Sequence, residues 1–317
     1  MLNPKEIVII GAGFSGLIAS RVLCAHNFPV TIVEKSRGPG GRMAHRRQSF
    51  GGYDHGVSQF YAQHPEFVNF LEVFDGQVQR VDAQDNIFQA YPHANSIAKA
   101  MAQTLPPIHT KWEAQHIQRQ NNKFVIISKT GETRTADILV VTAPLPQATA
   151  LLGDCWDTEW PDVGDVHYTS QLTIMLTCTI GAHQDLVEIL SKNHPTTDVT
   201  IQEQLSENNG KDHIKRLVIH IALTPIDPMF SMELEDIKQN LLAQISDLDH
   251  MPLDLQVHRW RYAQVTKGYD ALMLKHSSLD LWLAGDCFAG HGVEGAYVSG
   301  HAVATDIIKQ LRFGGKE

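Results

Sequence analysis

Apolar positions recur along the chain in two rhythms. Residues 6–10 (Glu-Ile-Val-Ile-Ile) are β-branched and apolar on both faces, the pattern of a buried parallel strand. Residues 17–25 then take helical spacing, and Asn27 is placed to close that helix in a left-handed conformation. Residues 29–33 read as a second strand ending at Glu34. Residues 136–144 form another buried strand, stopped by Pro144, and residues 123–128 and 133–137 flank Gly131 as a hairpin. Further on, residues 171–180 alternate as a strand and 216–223 form another. Residues 232–247 carry a helical stripe of Leu234, Ile237, Leu241, Leu242 and Ile245. Residues 191–213 are polar and expected to be rich in loops. Trp260 and Tyr262 fall on a strand ahead of Gly268-Tyr269, where alternation sets both on one face.

Composition narrows the class. The chain has 317 residues, enough for one large or two moderate domains and for a sizeable core without staples. Lys plus Arg number 26 against 35 Asp plus Glu, and a formal charge of -9 argues against a nucleic-acid partner, which needs a basic face. Cys24, Cys155, Cys178 and Cys287 contain no CxxC pair, so neither a zinc site nor a dithiol motif is expected, and the scatter suits a reducing compartment. The 17 histidines lack HExxH or HxxxH spacing, so no metal site is expected and most should lie at the surface or in supporting roles. Residues 7–25 follow Lys5 and superficially resemble a secretory leader. Glycines interrupt the run, no cleavage site follows, and no later run would span a bilayer, so a cytoplasmic protein without membrane attachment is expected.

The first strand, Gly11-Ala12-Gly13-Phe14-Ser15-Gly16, the helix and the second strand together make a dinucleotide-binding unit. Gly11 permits the tight turn, Gly13 lets backbone approach a pyrophosphate, and Gly16 lets helix pack on strand. The helix start, at Phe14 and Ser15, offers free N–H groups and partial positive charge. Glu34, 18 residues beyond Gly16, stands where a carboxylate accepts both hydroxyls of an adenosine ribose. That acid favours an unphosphorylated ribose, as in FAD or NAD, while Lys35 and Arg37 beside it could receive a phosphate. Gly40-Gly41-Arg42-Met43 would bring a second loop against the pyrophosphate, with Arg42 as a fork of donors.

Glu34 and Gly40-Gly41-Arg42 resemble the Glu-x6-Gly-Gly-Arg pattern of the flavin-dependent amine oxidase superfamily. Residues 281–286 resemble its final strand, where Gly285 precedes an Asp, here Asp286, that binds the flavin's ribityl chain or pyrophosphate. Val293-Glu294-Gly295-Ala296 resembles the start of its last helix, whose N–H groups point at the flavin ring. Within the superfamily the likeness is to short bacterial renalase-like flavoproteins, through residues 35–43, 258–263, 285–286 and 293–300. The run from Pro144 to Leu152 adds a fourth match, and the resemblance puts Thr142 and Pro144, which end the strand before it, among the cofactor contacts.

The resemblance implies an α/β chain with a discontinuous Rossmann-type FAD-binding domain (residues 1–65, 94–150 and 276–317) and an inserted α+β substrate domain (66–93 and 151–275). It implies noncovalent FAD and a small-molecule substrate, an isomeric reduced nicotinamide dinucleotide (2- or 6-dihydro-NAD(P)) oxidised to NAD(P)+ with O2 as acceptor. Trp260, Tyr262 and His291 would lie at the substrate face of the flavin. An amine oxidase or desaturase, and a flavin-binding scaffold with little turnover, are the alternatives. Two departures bear on the choice. Residues 54–61 keep the Asp, Gly and Phe of the family's Asp-x-Gly-Ala-Gln-Tyr-Phe run but change its middle. Gly292 stands where monoamine oxidases place an aromatic ring of the amine cage.

Overall fold

The structure, a computed structural model, describes residues 5–49, 51–179, 182–194, 196–203, 214–246, 251–290 and 292–313. They fall into two compact units, one drawn from residues within 1–44, 57–167 and 265–317, the other from 45–56 and 168–264.

The first unit is built on a six-stranded sheet. β1 (Ile7–Ile10) lies at its centre, parallel to β2 (Val30–Val33) on one side and to Ile138–Val141 on the other. Ile108–His109 adds a parallel strand beyond β2, and Leu281–Leu283 adds one beyond Ile138–Val141. Leu274–Lys275 closes that edge antiparallel. All four residues of β1 are buried, as a run apolar on both faces requires. On one face Ile7, Ile9, Ile32 and Val140 share a core with Leu17 and Leu23 of α1 (Phe14–Ala25) and with Val303 and Ile307 of the helix Gly292–Phe313. Asn27 does take the left-handed conformation, φ 65°, and Phe28 N–H reaches back to the Leu23 carbonyl at 3.1 Å. The hairpin about Gly131 forms, with Phe124 opposite Ala136, and Ala114–Gln120 joins it as a third strand.

The units divide the chain at other places than the expected domains. Residues 66–93, expected with the substrate domain, lie in the first unit. Phe67, Leu71, Phe74 and Phe88 pack into the same core as Ile7 and Ile9, which ties the helix Pro65–Glu72 and the strand Ile87–Ala90 to the nucleotide-binding sheet. Residues 151–167 and 265–275 also fall in the first unit, and residues 45–56 in the second. The last shift follows from Tyr53, which is fully buried against Met175 and Val218.

The second unit is a four-stranded antiparallel sheet in the order Thr196–Glu203, Ile214–Leu223, His167–Thr179, Asp254–Lys267. One face presents Leu172, Ile174, Leu176, Leu217, Ile219 and Ile221 to the helices His183–Asn193 and Leu234–Gln244. The second of these helices follows the expected stripe, with Ile237 and Leu241 buried. The first helix, and the strand beginning at Thr196, replace part of the loop-rich stretch expected over 191–213. Leu186, Val187, Ile189 and Leu190 pack on the core of this sheet, a stripe that lies just ahead of residue 191 and carries the helix into the polar stretch. Among the described residues no helix is long and apolar enough to cross a membrane.

Candidate functional site

In the first unit the turn after β1 is built by exclusion of side chains. Gly11 has φ +106°, and a Cβ there would strike the Thr142 hydroxyl. A Cβ on Gly16 would strike the Gly11 carbonyl oxygen, so α1 packs on the strand at backbone distance. Thr142 was expected among the cofactor contacts. Its hydroxyl lies 3.0 Å from the Ile10 carbonyl and 3.3 Å from that of Gly11, and so braces the turn. Gly13 differs from both, because a Cβ added to it meets nothing within 4 Å.

α1 starts at this open point with no side-chain cap and no acid in its first turn. Its positive end and first N–H groups are therefore left for an anion. Gly40 is bridged to Gly13, its N–H donating to the Ala12 carbonyl at 2.9 Å, and brings the second glycine loop beside the first. Phe14 and Met43 turn their side chains into the core, so only their backbone remains for a ligand. Lys35 and Arg37 are exposed.

Glu34 is 6% exposed. One carboxylate oxygen accepts the Ala12 N–H at 2.8 Å and the other the Ser36 N–H at 2.7 Å. A carboxylate offers about four lone-pair directions, so two remain for hydroxyl donors. The acid thus stands at the tip of β2, held by the phosphate-side turn and by its own loop.

The far end of the chain completes this site. Leu281–Leu283 leads through Gly285 to Asp286, which is 5% exposed and ion-paired to Arg42 at 2.5 Å. The two residues expected to contact the cofactor separately are therefore joined. The pair neutralises a buried carboxylate and fixes the guanidinium beside the glycine loop. Gly285 N–H donates to the buried Ser299 hydroxyl at 3.1 Å, fastening the strand to the last helix. A Cβ on Gly300 of that helix would strike the Ser15 carbonyl, so the helix lies against the first turn of α1. Val293 and Ala296 are buried and Pro144 caps the helix Leu145–Leu152. The Glu294 side chain is engaged within the fold. Its Oε2 accepts the N–H groups of Gln63 at 2.5 Å and His64 at 2.7 Å, fixing the entry to the helix Pro65–Glu72. His291 lies outside the described residues.

The residues present fit a dinucleotide. The Ser15 hydroxyl in the first turn of α1 is buried and has no hydrogen-bond partner among the described residues. An orphan of this kind costs about 1–3 kcal/mol until a ligand supplies the missing bond.

Trp260 and Tyr262 belong to the second unit, on the strand Asp254–Lys267 and the sheet face opposite Leu255 and Val257. The Trp260 indole N–H donates to the His55 carbonyl at 3.0 Å, and its ring stacks on the His55 ring at 5.6 Å. His258 meets it edge-on at 4.2 Å, and Tyr262 packs edge-on against Tyr168 at 5.4 Å. Burial holds His55 neutral, its pKa pushed down to about 3, with His258 and Arg46 adding to the shift. His55 had drawn attention only as part of the altered 54–61 run. Its support of Trp260 joins residues 205 positions apart and leaves no spacing signature in the sequence.

Comparison with known proteins agrees with this geometry. Residues 9–74 match the profile of an NAD(P)-binding Rossmann-like domain, and residues 93–308 that of flavin containing amine oxidoreductases. The L-amino-acid oxidase of Daboia russelii is 52% identical over 52 residues, 16% of this chain and 10% of that protein. That of Trimeresurus stejnegeri is 30% identical over 103 residues, 32% and 20% of the two chains. The matched stretches thus span a fifth or less of these relatives. A solved protein assigned as a protoporphyrinogen oxidase, from Exiguobacterium sp. 255-15, superposes with a TM-score of 0.66 at 11% identity, covering 97% of this chain and 99% of that one. A fatty acid isomerase from P. acnes that produces CLA gives 0.63 at 12%, covering 96% and 99%. At such identities the superpositions establish the fold. With the second profile matching from residue 93 to residue 308, and the glycine turn, the buried acid and the Arg42–Asp286 pair standing as they do, the chain belongs to the flavin containing amine oxidoreductase family.

Proposed function

We propose that the chain is an FAD-dependent oxidoreductase that accepts a hydride from a small substrate. The donor we propose is an isomeric reduced nicotinamide dinucleotide, 2- or 6-dihydro-NAD(P), oxidised to NAD(P)+ with O2 as the final acceptor. The observation that carries the cofactor half is Glu34, a buried carboxylate with two lone-pair directions left at the ribose position. The Ser15 hydroxyl and the free N–H groups of α1 would hold the phosphates, and Arg42, oriented by Asp286, would stand beside them. When bound, the flavin supplies the hydride-accepting chemistry. Binding is noncovalent in this reading, because Cys287 follows Asp286 directly and is buried, whereas covalent relatives carry the linking Cys well upstream.

The substrate half is supported by two features. Gly292 has φ +71°, a conformation in which the aromatic residue of an amine cage would be strained. Trp260 and Tyr262 share one sheet face and offer flat rings on which a planar nicotinamide can stack, worth about 0.5–1.5 kcal/mol beyond burial. The same reading takes a small molecule as the partner and the cytoplasm as the compartment. Anaerobic mixing of the yellow protein with 2- or 6-dihydro-NAD(P), with amines and with L-amino acids tests it. Fast bleaching by the dihydropyridines alone is expected. Fast bleaching by an amine or amino acid would give the site to amine oxidation. No bleaching by any donor would leave a flavin-binding scaffold.

A further inference from the structure

The helix Ser96–Gln103 begins at Asn95, a residue type that ordinarily caps a helix by accepting an N–H from its first turn. Here it makes no side-chain cap, although its backbone carbonyl accepts the Lys99 N–H at 3.0 Å. Asn95 is 9% exposed, and its Oδ1 has no hydrogen-bond partner among the described residues. Its Cβ lies 3.4 Å from the point where a Cβ on Gly40 would sit. Gly40 is in turn bridged to Gly13, the open glycine at the start of α1. A buried, unused carboxamide therefore adjoins the paired glycine loops, with the orphan Ser15 hydroxyl two residues beyond Gly13.

We propose that Asn95 is a further cofactor-binding residue, its carboxamide hydrogen-bonding the pyrophosphate–ribityl stretch of the dinucleotide. The proposal rests on the flavin reading above. The carboxamide can serve in either sense, since a half-turn exchanges oxygen and nitrogen. Oδ1 can accept from a ribityl hydroxyl, or the turned amide can donate to a phosphate oxygen. No other polar atom among the described residues meets Oδ1, so cofactor binding is what would relieve the cost of its burial.

The test compares wild type, N95A and N95D as full-length apoproteins. Each is titrated with FAD by flavin fluorescence, and each is melted with and without FAD. For N95A, FAD affinity should fall about tenfold, the effect of roughly one hydrogen bond. Its apoprotein should melt no lower than wild type, because the substitution removes an unsatisfied group. N95D separates the two senses. It keeps affinity near wild type if a hydroxyl donates to position 95, and falls below N95A if a phosphate is met there. FAD affinity unchanged in N95A overturns the proposal. So does an apoprotein that melts lower in step with lost affinity, since the side chain would then be structural. A wild-type apoprotein that takes up no FAD would instead remove the flavin reading, and this proposal with it.

Discussion

Replacing Glu34 by Gln is a sharp perturbation of the nucleotide site. The carboxylate accepts from two backbone donors, Ala12 N–H and Ser36 N–H, on different oxygens. A carboxamide has one acceptor oxygen and one donor nitrogen, so in either orientation an N–H group confronts a backbone N–H. One charge-assisted bond is lost and the other weakened, a loss of about 1.5–3 kcal/mol before any cofactor is considered. For a chain of this size that corresponds to roughly 2–4 °C in Tm per kcal/mol, or about 3–12 °C for the apoprotein. On the ligand side one ribose hydroxyl loses its acceptor, a similar energy, which weakens FAD about 10- to 150-fold. The assay is a fluorescence titration of apoprotein with FAD, paired with scanning calorimetry of the apoprotein. A lowered Tm with unchanged FAD affinity would mean that the acid only fastens the turn. Unchanged Tm and unchanged affinity together would refute the whole account of Glu34.

Other outcomes follow from the same structure. Arg42→Met strands the buried Asp286 carboxylate and should cost on the order of 2–3 kcal/mol, below the value for a fully buried pair because Arg42 is partly exposed; the double variant with Asp286→Asn should recover most of it in chemical denaturation. Gly300→Ala drives a methyl onto the Ser15 carbonyl and should destabilise by about 1–3 kcal/mol or more, read from the denaturation midpoint. His55 has its pKa lowered in the folded state, so the unfolded chain binds the extra proton. Its contribution to stability is therefore whole above about pH 6.5 and is lost as pH falls towards 3, by at most about 1.4 kcal/mol per pH unit; a His55→Asn variant should show a flatter stability profile across that window. Trp260→Ala should weaken a nicotinamide ligand several-fold while FAD content stays intact, and a variant that merely unfolds would make the ring a core residue.

What could be read beforehand was what local chemistry dictates. The strand–turn–helix of residues 7–25 and the ending at Asn27 depend on near neighbours or on glycine φ, and the acid at Glu34 on a glycine turn 22 residues before it; the structure places these elements as expected. Long-range pairings were invisible. Arg42 and Asp286 were each legible as cofactor residues, yet nothing in their spacing of 244 positions shows that they pair. The helix start at Glu294 is legible from its local pattern, but not that its carboxylate accepts from two N–H groups 230 and 231 residues away. Which unit holds residues 66–93 is hidden for a related reason. Phe67 and Phe88 reveal that they are core, while the identity of the core is settled by packing alone.

The nucleotide-binding sheet takes its strands from both extremes of the chain, with Leu281–Leu283 and the helix against α1 coming last. During synthesis this has a temporal consequence. β1 and β2 leave the ribosome some 250 residues ahead of the sheet's last parallel strand and of the helix that packs on α1, which at 5–20 residues per second is a wait of roughly 12–50 s. Over that interval the apolar face of α1 has no last helix to cover it. The second unit, whose strands are all translated within that wait, can close its own sheet first. A chain released before residue 281 should therefore carry one finished sheet and one sticky, cofactor-blind half, the form that chaperones and proteases would meet.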